Sequence, residues 1–159
     1  LHVAGADPNS ELGEFHRPET HLIPVILETL TGSIEEIQIY GSNYNTRDGT
    51  CIRDYIHVCD LVEAHVKGLN WLLRGNSSEV FNLGTGIGFS VLQVIREVER
   101  VTKTKVNFRN VERRVGDCAK LVSGSTKAKQ LLNWKADRSD LETIITDAWN
   151  WHTQGIYKQ

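Results

Sequence analysis

Between Tyr44 and Val58 the chain runs Tyr-Asn-Thr-Arg-Asp-Gly-Thr-Cys-Ile-Arg-Asp-Tyr-Ile-His-Val, and this run constrains the fold more than any other stretch. Asn45 to Gly49 is turn chemistry, because Asn and Asp tolerate bent backbone and Gly49 takes positive φ without steric cost. Arg53 to Val58 then mixes Arg, Tyr and His with Asp, Ile and Val, a pattern that predicts a short strand or extended segment with one wet face. Packing alone has no need of an Arg, an Asp, a Tyr and a His side by side after a tight loop. Arg53 offers a planar fork of donors suited to phosphate or carboxylate oxygens. The competing reading is a surface ion pair of Arg53 with Asp54 or Asp48, common in proteins and worth little.

The segments around this run alternate between short strands and amphipathic helices. Leu22 to Leu30 is apolar on a helical period, with Pro24 tolerated in the first turn and Thr20 or His21 as its cap. A helix N-terminus there is a natural anion site, and a plain amphipathic helix explains the pattern equally well. Ile37-Gln-Ile-Tyr-Gly41 alternates and stops at glycine, predicting a strand that enters a turn. Asp60-Leu-Val-Glu63, Ser90-Val-Leu-Gln93 and Ser139-Asp-Leu-Glu142 each have capping-box spacing, and each precedes a run of apolar residues at helical intervals. The first of these helices carries Leu61, Val62, Val66, Leu69, Leu72 and Leu73 on a broad face. Val80 to Leu83 and Val106 to Phe108 are expected as strands, and Ser125 to Leu132 as a short helix. Asp7 to Thr20, with Pro8, Gly13 and Pro18, is expected as a loop whose acids and His16 are solvated.

The turn Gly84-x-Gly86-x-Gly88 follows an expected strand and precedes a helix, yet it is not a dinucleotide fingerprint. The spacing is Gly-x-Gly-x-Gly, and no acidic residue closes a second strand in the required context. With a formal net charge of −2 the chain has no basic field for nucleic acid or an anionic membrane. Any anionic ligand must be held by a few placed groups. Cys51, Cys59 and Cys118 are odd in number and lack CxxC spacing, which suggests reduced thiols rather than a disulfide framework or a zinc site. No apolar run reaches membrane length and no charged stretch leads into an apolar core near Leu1, so a cytoplasmic protein is expected.

The run Gly49-Thr-Cys-Ile-Arg-Asp-Tyr-Ile-His-Val-Cys-Asp-Leu61 closely resembles a segment of the UDP-galactose (UDP-glucose) 4-epimerases, members of the extended short-chain dehydrogenase/reductase superfamily. The resemblance continues through Val3-Ala-Gly-Ala6, Glu19-Thr-His-Leu-Ile-Pro24, Phe81-Asn-Leu-Gly-Thr-Gly86, Arg113-Arg-Val-Gly-Asp117 and Ala148-Trp-Asn-Trp-His152. Each motif alone is weak; in this order they are specific for the C-terminal half of that family. The resemblance implies an α/β fold: the substrate-binding part of an extended short-chain dehydrogenase/reductase, built of short strands and amphipathic helices and lacking most of the Rossmann sheet. Leu1 and His2 stand where the family has Phe and Asn, so the asparagine contact to substrate is not carried over.

The same resemblance assigns binding roles. Arg53 and Arg114 correspond to the arginines that hold the substrate diphosphate, and Asp117 to the aspartate on the uridine ribose. His21 and Leu22 correspond to positions that touch the diphosphate, Gln38 and Tyr40 to the strand along the uracil. Leu121 stands where a bulky tyrosine narrows the sugar pocket in some members, which implies tolerance of UDP-N-acetylhexosamines beside UDP-glucose and UDP-galactose. The chemistry suits these roles, because two guanidinium groups offset a pyrophosphate and a carboxylate accepts from vicinal hydroxyls.

In the family a tyrosine of a Tyr-x-x-x-Lys pair takes the proton of the sugar 4-hydroxyl while hydride passes to tightly held NAD, giving a 4-keto sugar. None of Tyr40, Tyr44, Tyr55 and Tyr157 has a lysine four residues on, and the glycine-rich dinucleotide loop is missing. The resemblance therefore implies that NAD and the catalytic pair belong to an absent nucleotide-binding half, and that this chain alone is inactive. Residues 1–159 form one substrate-binding portion, with about 58–101 expected to pack on that absent half. Leu61, Val66 and Phe81 are expected to be exposed without it and to invite self-association. A nucleotide-sugar dehydratase or decarboxylase, or a truncated non-catalytic nucleotide-sugar binding module, are the alternatives.

Overall fold

The computed structural model describes residues 2–155; Leu1 and Tyr157, singled out above, lie outside the described residues. In chain order the elements are β1 (His2–Ala4), α1 (Leu22–Leu30), β2 (Ile37–Tyr40), β3 (Ile52–Arg53), β4 (Tyr55–His57), α2 (Val58–Leu73), β5 (Phe89–Ser90), α3 (Val91–Thr102), β6 (Phe108–Val111), β7 (Lys120–Leu121), α4 (Thr126–Leu132) and α5 (Leu141–Gln154). The fold is α/β, and its strands sort into three small sheets. β1 runs parallel to β4, β2 runs parallel to β6, and β3 lies between antiparallel β5 and parallel β7.

The main core forms where α1, α3 and α5 turn their apolar stripes together. Ile26, Leu27, Val94, Ile95, Val98, Ile144 and Ile145 are buried there with Ile37 and Ile39 of β2 and with Tyr55. A smaller cluster joins Ala64 of α2 to Ala128 and Leu132 of α4 around Trp134. The Trp134 indole is fully buried and donates from Nε1 to the Asp60 carbonyl at 2.7 Å. That bond removes the penalty of burying an indole N–H.

The capping boxes fare differently. Ser90 caps α3 as expected: its hydroxyl accepts from the Gln93 amide at 3.1 Å while the Gln93 side chain accepts from the Ser90 amide at 2.9 Å. Asp60 does not cap α2, which starts earlier with His57 as N-cap, the ring accepting from the Cys59 amide. Asp60 lies in the first turn and its carboxylate accepts from the Arg138 amide at 3.0 Å and the Ser139 hydroxyl at 2.5 Å. Ser139 is likewise spent on a tertiary contact, and Asp140 caps α5 through the Thr143 amide at 2.8 Å. The two side chains that mimic caps instead staple the start of α2 to the start of α5.

Other expectations shift. Val80 to Leu83 forms no strand, because no described segment pairs with it. A strand is a property of the pair, so an alternating sequence without a neighbour remains irregular. The strand expected at Val106 to Phe108 begins at Phe108, and Val106 is buried just before it. α1 has His21 at its N-cap without a side-chain cap bond. Along α2 only Asp60 and Ala64 are buried, whereas Val62, Val66, Leu69, Leu72 and Leu73 stay exposed. Among the described residues no helix is long and apolar enough to cross a membrane.

Candidate nucleotide-sugar site

β3 is the strand on which the candidate site is built. Its two neighbours pin it on both edges, and the pairing of Arg53 with Leu121 and of Ile52 with Lys120 sets β7 alongside it. This register carries the 117–121 segment to the Arg53 guanidinium. Nη1 donates to the Ile52 carbonyl at 2.9 Å and the Cys118 carbonyl at 2.8 Å, and Nη2 donates to the Asp117 carboxylate. The arginine is buried. Its partner is therefore Asp117, neither of the acids considered from sequence, because Asp48 and Asp54 are spent elsewhere.

Asp54 is buried and accepts four bonds. Oδ1 takes the Thr85 amide at 3.1 Å and the Thr85 hydroxyl at 2.6 Å; Oδ2 takes the Gly86 and Ser123 amides, each at 3.1 Å. The glycine turn is thus bolted to the strand that carries Arg53. Gly84 is required at this junction, since a Cβ there would lie 2.3 Å from the Ser123 carbonyl oxygen. Asp48 accepts from the Thr50 amide at 3.0 Å, the Thr50 hydroxyl at 2.8 Å and the Ser90 hydroxyl at 2.5 Å. Burial by itself pushes its carboxyl up, but the bonds from Ser90 and Thr50 outweigh it and hold the group below the usual carboxylate range. The turn before β3 is closed by these bonds.

A second group of residues sits on the β2 and β6 pair. The Arg114 guanidinium lies 3.8 Å from the centre of the Tyr40 ring, and the Tyr40 hydroxyl donates to Gln38 Oε1 at 3.2 Å. Arg113 lies 4.0 Å over the Tyr44 ring and its Nε donates to Asn43 Oδ1 at 2.6 Å. Stacking of guanidinium on an aromatic face leaves the edge donors of Arg114 available to an anion. Gly116, with φ 83°, makes the bend that returns the chain from Arg114 to Asp117. The structure thereby joins Gln38, Tyr40 and Arg114 in one group, and Arg53, Asp117 and Leu121 in another.

His21 and Leu22 sit at the start of α1. They line a cavity of about 740 Å³ together with His2, Gly13, Glu14 and Tyr55. Neither arginine lines it. His2 and Tyr55 carry no binding assignment from the sequence, yet their rings stand 5.8 Å apart at its wall. Burial, aided by the Arg53 guanidinium, pushes the His2 imidazole down, and burial pushes the Tyr55 phenol up, so both stay neutral at neutral pH. The pairing of His2 with Tyr55 across β1 and β4 is the signal that reveals them. A cavity of about 1140 Å³ between α3 and the start of α5 contains Arg96, Arg100 and Lys129 but none of the residues assigned from the sequence.

The profile of the GDP-mannose 4,6 dehydratase family matches residues 9–148. The chain belongs to that family. Its members fall within the extended short-chain dehydrogenase/reductase superfamily. A protein named UDP-glucose 4-epimerase from Streptococcus mutans is 47% identical over 96% of this chain, which covers 46% of that protein. A crystal structure of a UDP-glucose 4-epimerase has a TM-score of 0.93 at 50% identity, over 98% of this chain and 48% of its own. The UDP-glucose 4-epimerase of Bifidobacterium longum, solved with NAD+ and UDP, has a TM-score of 0.87 at 34% identity, over 96% of this chain and 45% of its own. The chain therefore spans about half the length of the relatives it matches.

Proposed function

We propose that this chain is the UDP-sugar-binding portion of a cytoplasmic UDP-glucose 4-epimerase, which interconverts UDP-galactose and UDP-glucose through a 4-keto intermediate. The observation that carries this reading is the likeness, over nearly the whole chain, to enzymes of that name. In this reading NAD and the tyrosine and lysine that move the proton lie in a nucleotide-binding half outside the chain.

Arg114 and Arg53 offset the diphosphate, with Arg53 held in place by two carbonyls and Asp117. Asp117 accepts from the uridine ribose, and Gln38 and Tyr40 border the uracil. His21 and Leu22 bring the first turn of α1 to the diphosphate, whose charge the outward amides there favour. Leu121, 49% exposed, leaves room beside the sugar for an N-acetyl group. The outer face of α2, with exposed Val62, Val66 and Leu69, is the surface that meets the nucleotide-binding half; α3 buries its own stripe within this chain. Segment 58–101 thus docks mainly through α2 and the irregular residues after it, and in the absence of that half the same face supports self-association.

The dehydratase reading draws on the family's name, and the epimerase reading on the names of the relatives. Mixing the chain with the N-terminal half of the Streptococcus mutans relative in the presence of NAD separates them. Conversion of UDP-galactose to UDP-glucose that needs both pieces supports the proposal. Turnover by the chain alone, or loss of water from the sugar in place of inversion, overturns it.

A further inference from the structure

The loop before α1 brings two glutamates and two histidines to one point. Glu14, His16, Glu19 and His21 each offer a ligand atom, and these atoms all lie within 4.8 Å of one another. His21 Nδ1 lies 2.5 Å from Glu14 Oε1 and 3.2 Å from Glu19 Oε1, and the His16 and His21 rings are 5.5 Å apart. One imidazole nitrogen facing two carboxylate oxygens at such range suits a shared N–H donor or, with the second imidazole drawn in as well, a divalent cation.

The loop seats one of these groups, Glu19, before any ion arrives. Glu19 Oε1 accepts from the Thr20 amide at 2.7 Å and the His21 amide at 2.8 Å, which orients its carboxylate at the helix start. The Glu14 carbonyl accepts from Trp151 Nε1 at 2.8 Å, and the loop lies so flat on that indole that a Cβ on Gly13 would come within 2.3 Å of it. The Glu19 side chain is 7% exposed and that of His21 59%, so a well-seated carboxylate meets an imidazole free to turn.

We propose that Glu14, His16, Glu19 and His21 form a binding site for a divalent transition-metal ion, of which Zn²⁺ is the best match. Two imidazoles and two carboxylates suit Zn²⁺, which takes four nitrogen and oxygen ligands at about 2.0–2.2 Å in a tetrahedron whose edges are about 3.4 Å. The ligand atoms already lie within 4.8 Å of one another, and the exposed Glu14, His16 and His21 side chains can close about the seated Glu19. An ion there ties the loop to the first turn of α1, one wall of the cavity that Glu14 and His21 line.

Co²⁺ titration of the metal-free 159-residue chain, in parallel with Zn²⁺ thermal shift, tests this. The expected result is one equivalent of Co²⁺ with the intense visible bands of a tetrahedral site and no thiolate charge-transfer band. Zn²⁺ raises the midpoint, because it binds only the folded chain. His16→Ala and Glu14→Gln each weaken both metals by roughly tenfold or more, the scale on which a metal site responds to loss of a supporting group. The metal-free melting midpoints of these surface variants stay at the parent value, which separates a lost ligand from a lost fold. Affinity equal to that of the His16→Ala/His21→Ala chain, a weak six-coordinate spectrum, or a thiolate band from Cys51, Cys59 or Cys118 would each overturn the site.

Discussion

Arg53 and Asp117, 64 residues apart in sequence, close on each other as an ion pair with the arginine side chain only 8% exposed. The guanidinium is therefore occupied by protein oxygens, and a diphosphate bound as proposed would have to share it with them. Breaking such a pair from one side leaves an unpaired carboxylate beside two carbonyls that have lost their donor. Arg53→Ala should cost about 3 kcal/mol of stability, and Arg53→Lys should recover less than half, since an ammonium cannot span the fork. Urea unfolding followed by tryptophan fluorescence reads both values.

Asp54 anchors the glycine turn with four accepted bonds, two of them from the amides of Gly86 and Ser123. Replacing it by alanine strands those donors in a partly buried junction, at a cost of about 2–4 kcal/mol. Hydrogen exchange should quicken at Thr85, Gly86 and Ser123 ahead of the core. Uniform exchange along the chain would mean that the carboxylate is not the clamp.

Asp48 contributes to the pH dependence, as do Asp140 and Glu79, whose carboxyls are likewise held down. The folded pKa of Asp48 lies below the unfolded value, so its contribution is fully present above about pH 3.9, the unfolded carboxylate pKa, and is lost as pH falls through the folded pKa. Asp48→Asn should lower the urea midpoint at neutral pH and flatten its fall in acid. An unchanged acid profile would place the linkage on other carboxylates.

The outer face of α2 gives a prediction about association. Val66→Lys and Leu69→Lys touch side chains that are 54% and 57% exposed, so each should change stability by less than about 0.5 kcal/mol. Both should reduce binding of an apolar dye and self-association in sedimentation velocity. A parent chain that stays monomeric and binds no dye would remove the reason to regard this face as a docking surface.

Local signals were legible wherever the chemistry is local. The stripe of α3, its Ser90–Gln93 capping box and the period-2 strand at Ile37–Tyr40 could be read directly. Asp60 and Ser139 misled because a carboxylate or hydroxyl at cap spacing serves equally well in a tertiary bond, and here they bond each other across 79 residues. Val80 to Leu83 misled because alternation marks a strand's faces but not the existence of its partner. The Arg53 to Asp117 pair could not be found by proximity in sequence, since β7 brings it about. Glu14, His16 and Glu19 read from sequence as a solvated loop and His21 as a helix cap; nothing local in the sequence says that the loop lies on Trp151 and brings the four together.

The measurement that bears most directly on the nucleotide-sugar assignment is isothermal titration with UDP of the parent chain and of Arg114→Ala. Arg114 is exposed and stacked on Tyr40, so its loss should leave the urea midpoint in place. One saturable site, weakened by about 1.5–3 kcal/mol in Arg114→Ala, is the expected result for a charged hydrogen bond to the diphosphate. A folded chain that binds no UDP, or that binds it equally well without Arg114, would contradict the assignment.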